Sequence, residues 1–67
     1  MSPKERALLQ ELQDLNEESS VEVYEEDRSA VEALYAKGLL KFVSDWERTQ
    51  MGFWRANVNL TTKGWST

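Results

Sequence analysis

The chain has 67 residues, a formal net charge of −4, and neither cysteine nor histidine. A chain of this length forms one domain with a small core and a few kcal/mol of stability. Without cysteine it can have no disulfide or thiolate metal site, and without histidine it lacks the commonest general base and zinc ligand. The composition therefore argues against metal chemistry and nucleophilic triads, and we expect a non-catalytic protein with no cofactor.

The charges are divided unevenly along the sequence. Residues 1–27 contain 2 basic and 9 acidic side chains, a net charge of −7, whereas residues 28–67 contain 6 basic and 3 acidic ones, a net charge of +3. No apolar run is long enough for a signal peptide or a membrane span. We therefore expect a cytoplasmic protein without membrane contact, whose second half could present a local basic surface.

The first predicted element is a helix that begins at Pro3. Ser2 is a good N-cap, Pro3 suits the first helical position, and Glu5 completes a capping box with Ser2. Asn16 is a plausible end of this helix. The residues predicted to face the core recur at helical spacing: Ala7, Leu8, Leu12 and Leu15.

A short strand and a second helix follow. The segment from Val21 to Val23 alternates as a strand does, and it could pair beside the later hairpin as a third strand. Three acidic residues, 25–27, suit the positive end of a helix that runs to about Lys37, and Gly38 can end it by taking positive φ. The residues predicted to be buried from this helix are Ala30, Val31, Leu34 and Tyr35.

From Leu40 onward the apolar period drops to two, which predicts a β-hairpin. The apolar face comprises Leu40, Phe42 and Trp46 on one strand and Trp54, Ala56, Val58 and Leu60 on the other. Pairs whose numbers sum to 100 bring these faces together: Leu40 with Leu60, Phe42 with Val58, and Trp46 with Trp54. A sum of 102 has the same parity. We expect both tryptophans in the core or at its rim, and positive φ at Gly52.

The second helix and the hairpin resemble the winged-helix family of DNA-binding domains, and MarR-type regulators in particular. The resemblance covers about half of the chain, and it is carried by two groups of residues. These are Leu34, Lys37, Gly38, Leu39 and Leu40 at the end of the helix, and Val58, Leu60, Thr61, Lys63 and Gly64 at the end of the hairpin. It implies a transcription-associated domain that binds nucleic acid.

The sequence departs from that family in the middle. A MarR-like domain has three helices before its wing, and this sequence predicts only two, in the order α-β-α-β-β. Either a compressed helix lies within residues 17–26, or the helix-turn-helix is absent, which we favour because the first alternative would place a run of glutamates against the core. The predicted fold class is α+β: a single winged-helix-like domain over residues 1–67, with two helices packed on a short antiparallel sheet.

Two functions remain open at this stage. The first is nucleic-acid binding by the hairpin, for which the polar candidates are Lys41, Arg48, Arg55, Asn57, Asn59 and Lys63. The second is protein binding, as a degenerate winged helix or a small acidic inhibitor, through the acidic helices or through the hairpin tip, residues 51–54. Its candidate contacts are Met51 and Phe53 near the turn and Trp65 near the C-terminus. Trp65 could instead fold back over the core.

Overall fold

The structure, a computed structural model, describes residues 1–15 and 20–67. Within these two ranges there are three helices and one three-stranded antiparallel sheet, which confirms the α+β class. In chain order the elements are α1 (Pro3–Leu15), β1 (Val21–Tyr24), a 3-10 turn (Glu25–Asp27), α2 (Arg28–Ala36), β2 (Leu40–Arg48), β3 (Trp54–Leu60) and α3 (Thr62–Ser66). The predicted helix end at Asn16 lies outside the described residues.

Helix α1 begins where its capping box predicts. The backbone N–H of Glu5 donates to Oγ of Ser2 at 3.2 Å, and that hydroxyl donates to the Glu5 carboxylate at 2.7 Å. The buried face comprises Leu8, Leu9 and Leu12. The predictions for Ala7 and Leu15 are wrong, because the face turned to the core passes through Leu9 instead, and Leu15 in the last turn is 47% exposed.

Helix α2 ends at Ala36, and the predicted glycine terminates it, since Gly38, two residues further on, has φ of +74°. Ala30, Val31 and Leu34 are buried as expected. The prediction that Tyr35 is buried is wrong. Its side chain is 53% exposed, and its ring lies beside that of Phe42 with centroids 5.0 Å apart. Between α1 and α2, the described residues 20–27 form one strand and one 3-10 turn. These eight residues therefore contain no α-helix of the kind that a helix-turn-helix would need.

The sheet has the order β1-β3-β2, so the short strand pairs beside β3 as the sequence suggested. Near the helices β2 and β3 keep the predicted register, with Leu40 opposite Leu60 and Phe42 opposite Val58. Two register shifts then insert two extra residues into β2. At the far end Trp54 therefore faces Arg48, and the predicted pairing of Trp46 with Trp54 is wrong.

A local hydrogen bond lies at the second of these shifts, between Ser44 and Glu47. The Asp45 carboxylate accepts a hydrogen bond from the backbone N–H of Trp46 at 2.7 Å, which gives that amide a partner outside the strand ladder. Trp46 stays partly buried against the core, as predicted. Trp54, by contrast, is 39% exposed at the end of the sheet. The register shifts place Arg48 opposite it, where the prediction had placed Trp46.

The chain ends in a short helix that the sequence did not predict. Thr61 caps α3, since its Oγ1 accepts from the N–H of Gly64 at 3.1 Å and donates to the carbonyl of Gly38 at 2.6 Å. A Cβ on Gly64 would lie 2.0 Å from the carbonyl oxygen of Leu39, so only glycine fits. We call this junction of residues 37–39 with residues 61–64 the clasp.

Candidate functional site

The structure separates the residues predicted to bind nucleic acid. Arg55 lies on the open face of the sheet between two carboxylates, with Nη1 at 3.3 Å from Glu22 and Nε at 3.4 Å from Glu47. Its positive charge is therefore opposed locally by two negative ones. Lys63 belongs to the clasp, where its ammonium donates to the carbonyl of Lys37 at 3.2 Å. Both cations already have partners within the domain.

Lys41, Asn57 and Asn59 stay together on the open face. Lys41 lies directly opposite Asn59 in the register, and Asn57 is two residues along the same strand. The Asn59 side-chain oxygen accepts from the N–H of Leu60 at 2.9 Å. Arg48 lies at the far end of β2, opposite Trp54, so the structure does not join it to this group.

The residues predicted to contact a partner also divide into two places. Met51, in the hairpin turn, is 86% exposed, and Gly52 beside it has the expected positive φ of +92°. Phe53 is partly buried because its ring packs edge-to-face on Tyr24, with centroids 5.8 Å apart. Trp65 is exposed on α3, at the opposite end of β3, so it is neither near Met51 nor folded fully over the core.

Beside the turn lies an open recess of about 420 Å³ lined by Tyr24, Glu25, Glu26 and Phe53. We call these four residues together with Met51 the tip surface. The sequence did not indicate the contribution of the first three, because they follow β1 and reach Phe53 only through the pairing of β1 with β3. The sequence predicts residues 25–27 as the start of an acidic helix, and it does not place them beside Phe53.

The carboxylates around the recess differ in their contacts. Oε1 of Glu25 accepts from the backbone N–H of Trp54 at 3.4 Å, whereas the carboxylate of Glu26 makes no hydrogen bond or ion pair with residues 1–15 or 20–67. Glu22 raises the pKa of Tyr24, first as a hydrogen-bond partner of the phenol and then by its negative charge, since both favour the protonated form. The recess is thus aromatic and acidic.

A second group of aromatic side chains lies between α2 and β2. The ring of Phe42 is 5.0 Å from Tyr35 and 6.3 Å from Trp46, and the guanidinium carbon of Arg28 lies 5.3 Å from the centroid of Trp46. Phe42 and Trp46 pack against the core cluster. This group therefore extends the core to the surface, in contrast to the tip surface, whose residues all lie outside the core cluster.

Across the two stretches that the structure covers, no cluster of three or more acidic side chains has a geometry that could hold a metal ion. Nor do those stretches contain a helix with the length and apolarity needed to cross a membrane. No protein-family model, curated protein or solved structure matches the chain.

Proposed function

We propose that this protein is a non-catalytic protein-interaction module of winged-helix-like architecture that binds its partner through the tip surface. The observation that carries the proposal is the composition of this surface. It combines an aromatic pair, a methionine that is 86% exposed and two carboxylates around one recess. Aromatic residues and methionine are enriched at protein interfaces, and exposed apolar groups placed side by side mark such sites.

The winged-helix-like part of the proposal is supported by topology. The chain places α2 directly before a hairpin, and β1 completes the sheet beside β3 in the order β1-β3-β2. Six of the ten residues that carry the resemblance lie in the clasp, where Thr61, Lys63 and Gly64 contact residues 37–39, just after α2. They act there as folding residues, so the resemblance in sequence supports a shared architecture more strongly than a shared ligand.

Electrostatics favours a protein partner over nucleic acid. Helix α2 stands where the resemblance places a recognition helix, yet it follows three acidic residues, 25–27, and its Arg28 pairs with Glu32 at 3.2 Å. A phosphate backbone is bound through clustered Lys and Arg, and here the cations of the hairpin are dispersed or opposed by carboxylates.

Site-specific photo-cross-linking tests the proposal. A photoreactive residue placed at Met51 in the full chain, in cells that make the protein, should yield a discrete cross-linked protein. The same residue at Gln10, exposed on α1, is the matched control and should not. Adding Phe53→Ser to the Met51 probe should abolish the adduct, because it removes the aromatic pair. Equal adducts from both positions, or an adduct indifferent to Phe53→Ser, would contradict the proposal.

Nucleic-acid binding by the open sheet face is the second candidate, and the grouping of Lys41 with Asn57 and Asn59 favours it. It predicts that the protein binds random duplex DNA at low salt, with an affinity that falls as salt rises and that Lys41→Ala weakens for every sequence alike. The protein-interaction proposal predicts no such binding. Salt-sensitive binding that depends on Lys41 would therefore replace the first candidate with the second.

A further inference from the structure

We infer that the recess between Tyr24 and Phe53 receives a single arginine side chain presented by the partner protein. This inference rests on the proposed function, because it names what the tip surface recognises. An arginine has an apolar stem that can lie against aromatic rings and a planar cationic head that can bond to carboxylates. The recess offers both kinds of surface, at the mouth of a space of about 420 Å³.

The aromatic part of the recess suits a guanidinium group. The rings of Tyr24 and Phe53 are inclined at 62° with centroids 5.8 Å apart, so they form two walls at an angle and not a closed stack. A cation within about 6 Å of an aromatic face is attracted by the ring quadrupole, and arginine makes this contact more often than lysine. The same domain contains such a contact, since Arg28 lies 5.3 Å from the centroid of Trp46.

The acidic part of the recess supplies the charge complement. Glu25 and Glu26 both line it, and within the described ranges Glu26 has no side-chain partner of its own. Lys4 lies on that side, where its ammonium donates to the backbone carbonyl of Glu26 at 2.8 Å and forms no ion pair with the described carboxylates. Within the described ranges, the carboxylate oxygens of Glu26 therefore keep their hydrogen-bonding capacity for a ligand.

Other cations lie next to the recess. Arg48 and Arg55 line a neighbouring hollow together with Glu47, and Phe53 lines both hollows. Arg55 also lies opposite Tyr24 in the register, where it is held by Glu22 and Glu47. The hollow that contains Glu25 and Glu26 is therefore the one that an arginine would enter.

Nuclear magnetic resonance titration of the full chain tests the inference. The probe is a blocked glycine-arginine-glycine tripeptide, and its matched control carries citrulline, which has nearly the shape of arginine but no charge. The arginine peptide should shift the backbone amide signals of Glu25, Glu26 and Phe53 with millimolar affinity and should bind more weakly as salt rises. Equal binding of the citrulline peptide, or shifts confined to other residues, would overturn the inference, as would no shifts at all.

Two variants check the named contacts. Glu26→Gln should weaken binding of the arginine peptide by about threefold to tenfold. Asp14→Asn removes the same charge from the exposed side of α1, and it should leave the affinity within about twofold. Phe53→Leu keeps an apolar side chain but removes the ring, and it should also weaken binding. Unchanged affinity in both Glu26→Gln and Phe53→Leu, with folding verified by the amide spectrum, would refute the site.

The arginine inference and the proposed function can fail independently of each other. If the arginine peptide fails to bind while the Met51 cross-link persists and depends on Phe53, the tip surface binds a protein by other contacts and only the arginine inference is lost. If the peptide binds but the cross-link is absent, the recess recognises arginine and the interaction proposal fails.

Discussion

The two ends of β3 differ in what their side chains do. At the Leu60 end, the clasp joins α2, the hairpin and α3 through Thr61, Lys63 and Gly64, and the surrounding leucines are buried. At the Trp54 end, Met51 and Tyr24 are exposed, and the register shifts of β2 leave Trp54 outside the core. One end stabilises the fold, and the other has apolar and charged groups available to a partner.

The residues that resemble winged-helix domains are not distributed evenly between the two ends of β3. The residues on which the resemblance to winged-helix domains rests lie mainly at the clasp end, where several have a structural role, such as the close approach of Gly64 to the Leu39 carbonyl. None of the five residues of the tip surface is among them. A resemblance that rests on folding residues is evidence about architecture, and it does not by itself indicate what a domain binds.

The largest expected effect of a single substitution is at the centre of the core. Leu34 has no exposed surface, and Leu34→Ala should cost about 2–5 kcal/mol, enough to unfold a domain of this size. Leu15→Ala, at the exposed end of α1, is the control and should stay within about 0.5 kcal/mol. Urea denaturation measures both. A cooperative Leu34→Ala transition near the wild-type midpoint would contradict the described core.

The clasp should be the next most sensitive place. In Gly64→Ala the new methyl group would lie 2.0 Å from the Leu39 carbonyl oxygen, so the backbone must move, and we expect a loss of about 1–3 kcal/mol. Thr62→Ala, exposed on the same helix, should change stability by less than about 0.5 kcal/mol. Equal thermal midpoints for the two variants would show that α3 does not pack on the α2–β2 junction.

A smaller effect is expected at the start of α1. Ser2→Ala removes the hydroxyl that accepts from the N–H of Glu5, and the loss of such a cap costs about 1 kcal/mol. Arg6→Ala, exposed in the same helix, is the comparison and should be nearly neutral. The free energy of unfolding of each variant in urea provides the measurement. Identical values for Ser2→Ala and the wild type would exclude the capping box.

The ion pair between α1 and the end of α2 predicts a dependence on pH. Hydrogen bonds from Lys37 and then from Ser2 lower the pKa of Glu5 from 4.5 to about 2. Because the folded-state pKa lies below the unfolded one, the ionised carboxylate stabilises the fold above about pH 4.5, and this stabilisation is lost as pH falls towards about 2.

Glu5→Gln should therefore lose less stability than the wild type between about pH 5 and about pH 2.5, and Lys37→Gln should flatten the dependence in the same way. Denaturation midpoints across that range measure the slope. If both variants keep the wild-type slope, the pair does not contribute to acid sensitivity.

The sequence predicted those features that depend on neighbouring residues. The cap at Ser2, the helix end at Gly38 and the turn at Gly52 were all predicted, because each follows from local backbone preferences. The register shifts of β2 were not, since alternation alone does not reveal that the Asp45 carboxylate bonds to the Trp46 amide. Helix α3 was missed because it depends on contacts with residues more than twenty positions earlier, such as Gly38.

The sequence likewise predicted only some of the residues of the candidate site. Met51 and Phe53 were placed near the turn by the hairpin pattern, and the structure brings Phe53 against Tyr24. Glu25 and Glu26 were missed as parts of the recess, because their approach to Phe53 depends on the pairing of β1 with β3. Their role and that of Trp65 in binding a partner stay predictions.

The difference between the two ends of β3 is tested most directly by one double variant, for which both the free energy of unfolding and the capture of a partner are measured. Met51→Ser combined with Phe53→Ser alters the tip surface and leaves the clasp intact. We predict that the free energy of unfolding falls by no more than about 1 kcal/mol, while a photoreactive residue at Gln50 no longer captures the protein that it cross-links in the wild-type background. A stable double variant that still captures that protein would contradict the assignment of partner binding to the tip surface.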